Sequence, residues 1–291
     1  MVEKIAADSP DKFTVATSVA DVHIQFEKGV ISLPMGMENG APIEGDLKNV
    51  EYFYNRGIRY ITLTHSKNNH ICDSSYDTEK KWNGLSPFGK EVVKEMNRVG
   101  IMIDVSHITD DTFYQVMEIT QAPVIASHSS CRTFTPGFAR NMNDEMLKKL
   151  SVNGGVIQIN FGSSFLDGEI QKKYEEAFAA SSKYAEENNL SPSDPKLDEF
   201  MSKYKEEHNI GFADITDIVK HIDHVGIGSD FDGVGDSLPT GMKDVSMYPN
   251  LIYELLKKGY SREDIVKICS GNVFRVWSEV EATAKRLQTS S

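Results

Sequence analysis

The chain has 291 residues, of which 40% are hydrophobic and 25% charged, a composition typical of a soluble globular protein. Its 31 Lys and Arg against 43 Asp and Glu give a formal net charge of -12, which argues against binding to nucleic acid or anionic membranes. No apolar run is long enough to predict a membrane anchor, and the first residues lack the apolar core of a signal peptide. Three cysteines at no metal-like spacing favour reduced thiols and a cytoplasmic location.

Hydrophobic periodicity predicts alternating strands and helices along nearly the whole chain. The seven predicted strands are mostly apolar runs, at 13–18, 29–38, 59–65, 100–107, 123–128, 154–161 and 224–230. Helical patterns between them include 89–100, 110–120 and 143–153. Almost continuously apolar strands are typical of a parallel sheet covered on both faces. The β-then-α order favours a TIM-like (β/α)8 barrel that lacks one unit, as a single domain over residues 1–291.

The region 165–212 departs from this alternation. It is highly charged, and its helical spacing is broken at Pro192 and Pro195. We interpret it as a helical pair inserted on the rim of the barrel, not as a second domain. Such an insertion is expected to form a solvated cover over the site.

Side chains that bind metals or transfer protons stand at the ends of five predicted strands. In chain order they are Glu38, His65, His107, His128 and Asp230. A single histidine at a strand end is more often a turn or core residue. Here, however, three of the eight histidines in the chain stand at equivalent strand ends, and this repeated placement favours a functional interpretation. Because the carboxyl ends of parallel strands meet at one face of a barrel, these residues are expected to converge.

Two imidazoles and a carboxylate suit a borderline-soft cation, and zinc is the favoured occupant. We therefore predict a zinc site formed by Glu38, His107 and His128. A catalytic zinc keeps an open position for water and lowers the pKa of that water to about 7. Asp230 is predicted to shuttle the proton.

Several longer motifs carry information beyond single residues. They are "LTHSKNN", "GLSPFGKEVVKEMNRVGIMIDVSHITDDTF", "PVIASHSSCR", "ARNMNDEML" and "HVGIGSDFDG". Together they resemble the membrane (renal) dipeptidase family of zinc peptidases. The resemblance extends from about residue 3 to "SGNVFRVWSEVEA" near the C-terminus.

The resemblance implies a (β/α)8 barrel with two zinc ions per chain, bridged by the glutamate that corresponds to Glu38 and by a water or hydroxide. It implies that His107 and His128 complete one zinc site and that His65 faces the substrate and steadies the tetrahedral intermediate. Arg140 would bind the terminal carboxylate of the substrate, a task that suits a planar guanidinium. Asp230 would take the proton from the attacking water and pass it to the leaving amine.

One feature that the resemblance implies is missing. A His-x-Asp pair on the first barrel strand should bind the other zinc, but none precedes Glu38, and "ADVHIQFE" has Asp21 before His23 in a helix-like stretch. The missing pair coincides with the missing barrel unit. We therefore expect an N-terminally shortened chain with one incomplete zinc site. Two open sheet edges would favour aggregation or a homodimer.

The sequence thus predicts a zinc-dependent dipeptidase that hydrolyses dipeptides with a free C-terminal carboxylate by attack of a metal-bound hydroxide. An alternative is a shortened, catalytically weak homologue that binds peptide or one metal without efficient turnover. A third hypothesis keeps the barrel and metal but changes the substrate to another amide or a lactone. Metal content separates the first two, and Arg140 separates the first from the third, because a lactone has no carboxylate for it to bind.

Overall fold

Seven parallel strands form one curled sheet in the computed structural model, which describes residues 1–221 and 225–289. The strands follow one another in chain order across the sheet, from β1 to β7. Their bounds are β1 Phe13–Ala16, β2 Ile31–Glu38, β3 Ile58–Thr62, β4 Met102–Asp104, β5 Ile125–Ser129, β6 Val156–Ile159 and β7 Gly226–Ile227. This arrangement is an α/β fold that fits a TIM-like barrel.

Helices lie between successive strands and also before β1 and after β7. Their bounds are α1 Val2–Asp8, α2 Val19–Glu27, α3 Lys48–Asn55, α4 Pro87–Val99, α5 Asp110–Ile119, α6 Asp144–Asn153, α7 Ser163–Leu166, α8 Gly168–Asn188, α9 Pro195–Glu207, α10 Ile215–His221, α11 Tyr248–Lys258, α12 Arg262–Val266 and α13 Asn272–Thr289. The helical pair predicted in 165–212 is confirmed as α8 and α9. No helix in the described ranges is both long and apolar enough to cross a bilayer.

All seven predicted strands are present, but several end earlier than the apolar runs do. β3 ends at Thr62 and β4 at Asp104, so His65 and His107 lie three residues beyond their strands. Beyond these strand ends, hydrogen bonds from side chains replace those between neighbouring strands, and the chain turns. For example, Thr64 Oγ1 donates to Lys67 O at 2.6 Å. The last strand is confirmed at Gly226–Ile227, while the predicted start at 224 lies outside the described residues.

β2 corrects the expectation that every strand is buried on both faces. Each of its residues is exposed or half-buried, and it is the second strand of the sheet, between β1 and β3. Its pairing with β3 is irregular between Met35 and Gly36. The ring of Tyr60 covers Gly36 so closely that a Cβ there would lie 2.0 Å from a ring carbon. Glycine at this position is therefore required for packing.

α4 shows how local sequence signals place the helices. Ser86 caps it by accepting a hydrogen bond from Gly89 N at 2.8 Å, Pro87 begins it, and Gly100 ends it with a φ of 92°. The predicted apolar face is confirmed by burial of Val92, Val93, Met96 and Val99.

The last helix, α13, covers the amino-terminal end of the sheet. Trp277 and its neighbours Val276 and Val280 form a buried cluster with the first residues of three strands, Met102, Ile125 and Val156. This end of a barrel serves stability, whereas the opposite end carries the chemistry. The core at the amino-terminal end thus supports the strands without contributing to the cleft described below.

We expect Trp277→Ala to lower the free energy of unfolding by about 3–5 kcal/mol, because it removes a large side chain that is only 3% exposed. The measurement is urea-induced unfolding followed by circular dichroism. Ser278→Ala, an exposed change on the same helix, is the control and should be within about 0.5 kcal/mol of the unmodified chain. Equal stability of the two variants would contradict the role assigned to α13.

Candidate metal centre and active site

All six side chains singled out from the sequence line one cleft at the carboxyl ends of the strands. The cleft has a volume of about 1100 Å³. The six residues are Glu38, His65, His107, His128, Arg140 and Asp230. The convergence expected from a parallel sheet is therefore found.

Glu38, His107 and His128 form the tightest group in the cleft. Glu38 Oε1 lies 3.1 Å from His107 Nε2 and 3.0 Å from His128 Nε2. The two Nε2 atoms lie 2.8 Å apart. Three atoms with lone pairs thus face a common point.

His65 stands at the edge of this group. Its Nε2 lies 3.6 Å from Glu38 Oε1, and its ring centroid is 4.3 Å from that of His107. Glu38, His65 and His107 also form a set whose ligand atoms all lie within 4.8 Å of one another. His65 is more exposed than either of the other two imidazoles, with 44% of its side chain accessible compared with 6% for His107 and 12% for His128. It is therefore the imidazole that a bound molecule reaches most easily.

The electrostatic state of the group suits a cation. Burial, followed by the charge of Arg140, lowers the pKa of His107 to about 3, so its imidazole is neutral near pH 7. A hydrogen bond with the imidazole of His107 holds the pKa of Glu38 well below its usual range. Metal ligands must be in these states, with neutral imidazoles and an ionised carboxylate.

Arg140 lies beneath the cleft and is only 4% exposed. Its Nη1 donates to Ser129 Oγ at 2.7 Å and its Nη2 donates to His128 O at 2.8 Å, while Nε has no hydrogen-bond partner in residues 1–221 and 225–289. Burial lowers its pKa. A buried guanidinium without a direct ion pair among the described residues is costly, and it favours an anionic ligand at this wall.

Asp230 lies three residues after β7 and also lines the cleft. Its Oδ2 accepts a hydrogen bond from Asn160 Nδ2 at 2.9 Å, which orients the carboxylate. Burial raises its pKa. A carboxyl group with a raised pKa accepts and returns a proton more readily than an exposed one.

Two of the site residues have backbone in the left-handed region. The φ angle is 70° at His107 and 56° at Asp230. Histidine adopts this conformation less readily than glycine, so the surrounding structure must hold it. Ser75 N donates to His107 O at 2.8 Å, and Gly233 N donates to Asp230 O at 3.0 Å.

An aromatic wall of the cleft was not predicted from the sequence. It consists of Tyr76, Phe138, Phe165, Tyr174 and Phe178. Three of them come from loops or from α7, where no periodic signal marks them. Tyr174 and Phe178 are four residues apart on α8, so the predicted inserted helix lines the cleft, and this spacing was a readable signal.

The donor set fits a metal ion. Separations of 2.8 to 3.1 Å between Glu38 Oε1 and the two Nε2 atoms are those of atoms that can share one small cation with bonds of about 2.0–2.2 Å. Without a cation, the two Nε2 atoms supply at most two protons for the three contacts, so at least one contact would lack its own hydrogen bond. Nitrogen and oxygen ligands in this number are typical of zinc.

Comparison with known proteins gives relatives along nearly the whole chain. The dipeptidase aclJ of Aspergillus oryzae is 35% identical over 295 residues, covering 99% of this chain and 61% of that protein. The dipeptidase tcpJ of Claviceps purpurea is 32% identical, covering 98% of this chain and 59% of that protein. The chain therefore spans about three fifths of the length of the curated relatives it matches.

Solved structures agree in fold. The crystal structure of the probable dipeptidase PvdM from Pseudomonas aeruginosa superposes with a TM-score of 0.83 at 28% identity, covering 97% of this chain and 78% of that one. A sequence model described as membrane dipeptidase, peptidase family M19, matches residues 1–291. The chain belongs to the membrane dipeptidase family, peptidase family M19.

Proposed function

We propose that this chain is a zinc-dependent dipeptidase that hydrolyses dipeptides with a free C-terminal carboxylate. The observation that carries the proposal is that three atoms able to bind a metal converge in one cleft with a buried guanidinium, which forms no ion pair with any described residue. Family membership supports the reaction class. The direct test is hydrolysis of dipeptides by the purified chain at saturating zinc, compared with a lactone and with dipeptide amides.

Glu38, His107 and His128 would hold the ion. Zinc, when bound, lowers the pKa of a coordinated water to about 7 and polarises a carbonyl group. Asp230 takes the proton of the attacking water and passes it to the leaving amine, with Asn160 keeping its carboxylate in place. His65 Nε2, at the exposed edge of the group, donates to the oxygen that becomes negative when water adds to the carbonyl.

Arg140 supports the choice of a substrate with a carboxylate. Nη1 and Nη2 each use one N–H for the protein, so one N–H on each of them and that of Nε remain to bind an anion. A guanidinium is suited to a carboxylate because it can donate two parallel hydrogen bonds. A lactone would leave this buried charge without a partner.

The described residues offer one candidate site for a metal ion. In residues 1–221 and 225–289, groups of three or more His, Cys, Asp or Glu with ligand geometry occur only around Glu38, where Glu38, His65 and His107 meet the criterion and His128 lies beside them. This observation favours a second candidate, a homologue that binds peptide or one metal with little turnover. About one zinc per chain without hydrolysis would favour that candidate, and robust hydrolysis would exclude it.

Replacement of His128 by Ala should lower zinc affinity by orders of magnitude, because it removes one of three protein ligands. Zinc bound after dialysis, measured by elemental analysis, is the readout. His23→Ala, an exposed histidine on α2, is the matched control and should retain the zinc of the unmodified chain. Full zinc content in the His128 variant would refute the ligand assignment.

Replacement of Arg140 by Ala should raise KM for a dipeptide about 30- to 150-fold, equivalent to about 2–3 kcal/mol for a charged contact. The measurement is steady-state kinetics on a dipeptide and on its C-terminal amide. The variant should no longer distinguish the two substrates. Because Arg140 also binds His128 O, zinc content is measured alongside. An equal KM for both substrates in the unmodified chain would argue against this role.

Replacement of His65 by Asn should lower kcat about 100- to 1000-fold, as expected when one donor to a developing oxyanion is lost. Zinc content should be unchanged, because His65 Nε2 lies farther from Glu38 than the other two imidazoles do. Elemental analysis and kcat are measured on the same preparation. Loss of zinc in this variant would identify His65 as a ligand instead.

A further inference from the structure

We infer that Asp104 and Ser127 are positioning residues that fix the tautomer of His128, so that its Nε2 presents a lone pair to the metal site. The inference rests on the proposed zinc site but can be tested without metal. It is carried by a continuous chain of hydrogen bonds that runs from the buried carboxylate of Asp104 through Ser127 to His128.

The chain begins at the carboxylate of Asp104, which is fully buried at the end of β4. Its Oδ1 accepts hydrogen bonds from Ser106 N at 3.0 Å and Ser127 N at 2.9 Å. Its Oδ2 accepts from Thr62 Oγ1 at 2.5 Å and Ser127 Oγ at 2.6 Å. Four donors satisfy both oxygens of an ionised carboxylate, which cannot itself donate.

The next link is the hydroxyl of Ser127. It lies 2.6 Å from Asp104 Oδ2 and 2.7 Å from His128 Nδ1. A hydroxyl has one proton, and Asp104 can only accept it. Ser127 Oγ must therefore accept the hydrogen bond from His128, and this requires that Nδ1 carry the imidazole proton.

The consequence appears at the other side of the ring. A neutral imidazole with its proton on Nδ1 has a lone pair on Nε2. This atom faces Glu38 Oε1 at 3.0 Å and His107 Nε2 at 2.8 Å. The hydrogen bonds behind His128 thus preset it as a ligand before any ion arrives, which is the role that polar partners of metal-binding histidines have in general.

The backbone at this point is shaped for the same purpose. Pairing of β5 with β6 is irregular between Ala126 and Ser129, so Ser127 and His128 leave the regular ladder. Their N–H groups bind side chains instead, Ser127 N to Asp104 and His128 N to Ser106 Oγ at 3.1 Å. His107 differs, because its Nδ1 is buried and has no hydrogen-bond partner in the part of the chain that the structure describes. Of these two histidines, His128 is the one whose Nδ1 has a hydrogen-bond partner among the described residues, and this partner sets its tautomer.

The primary test is nitrogen-15 NMR of the metal-free protein with labelled histidine, at a pH where His128 is neutral. Two-bond nitrogen–proton correlations separate the two tautomers, and the His128 signals are assigned by their absence in His128→Gln. We expect the Nδ1–H form in the unmodified chain and a gain of the Nε2–H form in Ser127→Ala. A predominant Nε2–H form in the unmodified chain would overturn the inference.

The second readout is zinc affinity by competition with a chelator. Ser127→Ala should weaken zinc binding about 10- to 100-fold. Ser127→Thr, which keeps the hydroxyl, should restore both the affinity and the Nδ1–H form. Ser130→Ala is the matched control, because Ser130 is also buried but donates to Asn160 O instead of contacting His128. The zinc affinity of this variant should change less than about threefold. Equal affinities of Ser127→Ala and Ser130→Ala would contradict the inference.

Asp104→Asn extends the test, because an amide can donate to Ser127 Oγ and turn the serine proton towards His128 Nδ1. The Nε2–H form should then dominate, with zinc affinity reduced about 10- to 100-fold. If this variant does not fold, Ser127→Ala still decides the question. Failure of the unmodified chain to bind zinc would contradict the proposed function. The tautomer of His128 in the metal-free protein would still test the role of Asp104 and Ser127, because that measurement does not depend on zinc.

Discussion

The buried carboxylate of Asp104 joins the ends of three neighbouring strands, and the geometry of the cleft depends on it. It binds Thr62 at the end of β3, Ser106 just after β4, and Ser127 in β5. Removing a charged carboxylate from water costs free energy, and the four hydrogen bonds that it accepts offset this cost. In return, the carboxylate sets the relative positions of the segments that carry His65, His107 and His128.

Much of the fold is readable from the sequence because strands and helices follow apolar periodicity. All seven strands and the helices α4, α5 and α6 lie where the periodicity predicts them. The strand ends are not readable in this way. β3 and β4 stop before His65 and His107 because distant side chains replace the backbone ladder, and such partners are invisible in a local pattern.

The residue types of the site were also readable, whereas its electrostatics were not. Glu38, His107 and His128 were predicted together from their places at strand ends, and their ligand atoms do lie together. Burial of Arg140 depends on the whole wall of the cleft, so no sequence pattern could have indicated it. Asp104 did leave a signal, since a carboxylate inside the apolar run "GIMIDV" is rarely buried without a specific set of partners.

The same arrangement explains why part of the cleft is strained. His107 must leave β4 and immediately turn its ring towards Glu38, which a left-handed φ of 70° achieves within three residues. Such a conformation costs on the order of 1–3 kcal/mol in a residue other than glycine. Glycine there would relieve the strain but remove the imidazole, so stability and the proposed metal binding impose opposite demands on this position. The hydrogen bond from Ser75 N and the burial of the ring hold the strained conformation of His107. His107 thereby reaches the carboxylate of Glu38, as His128 does. His128 reaches it in another way, because irregular pairing displaces the backbone of β5. Two different backbone irregularities, each held by hydrogen bonds from outside its own strand, thus bring two imidazoles to one carboxylate.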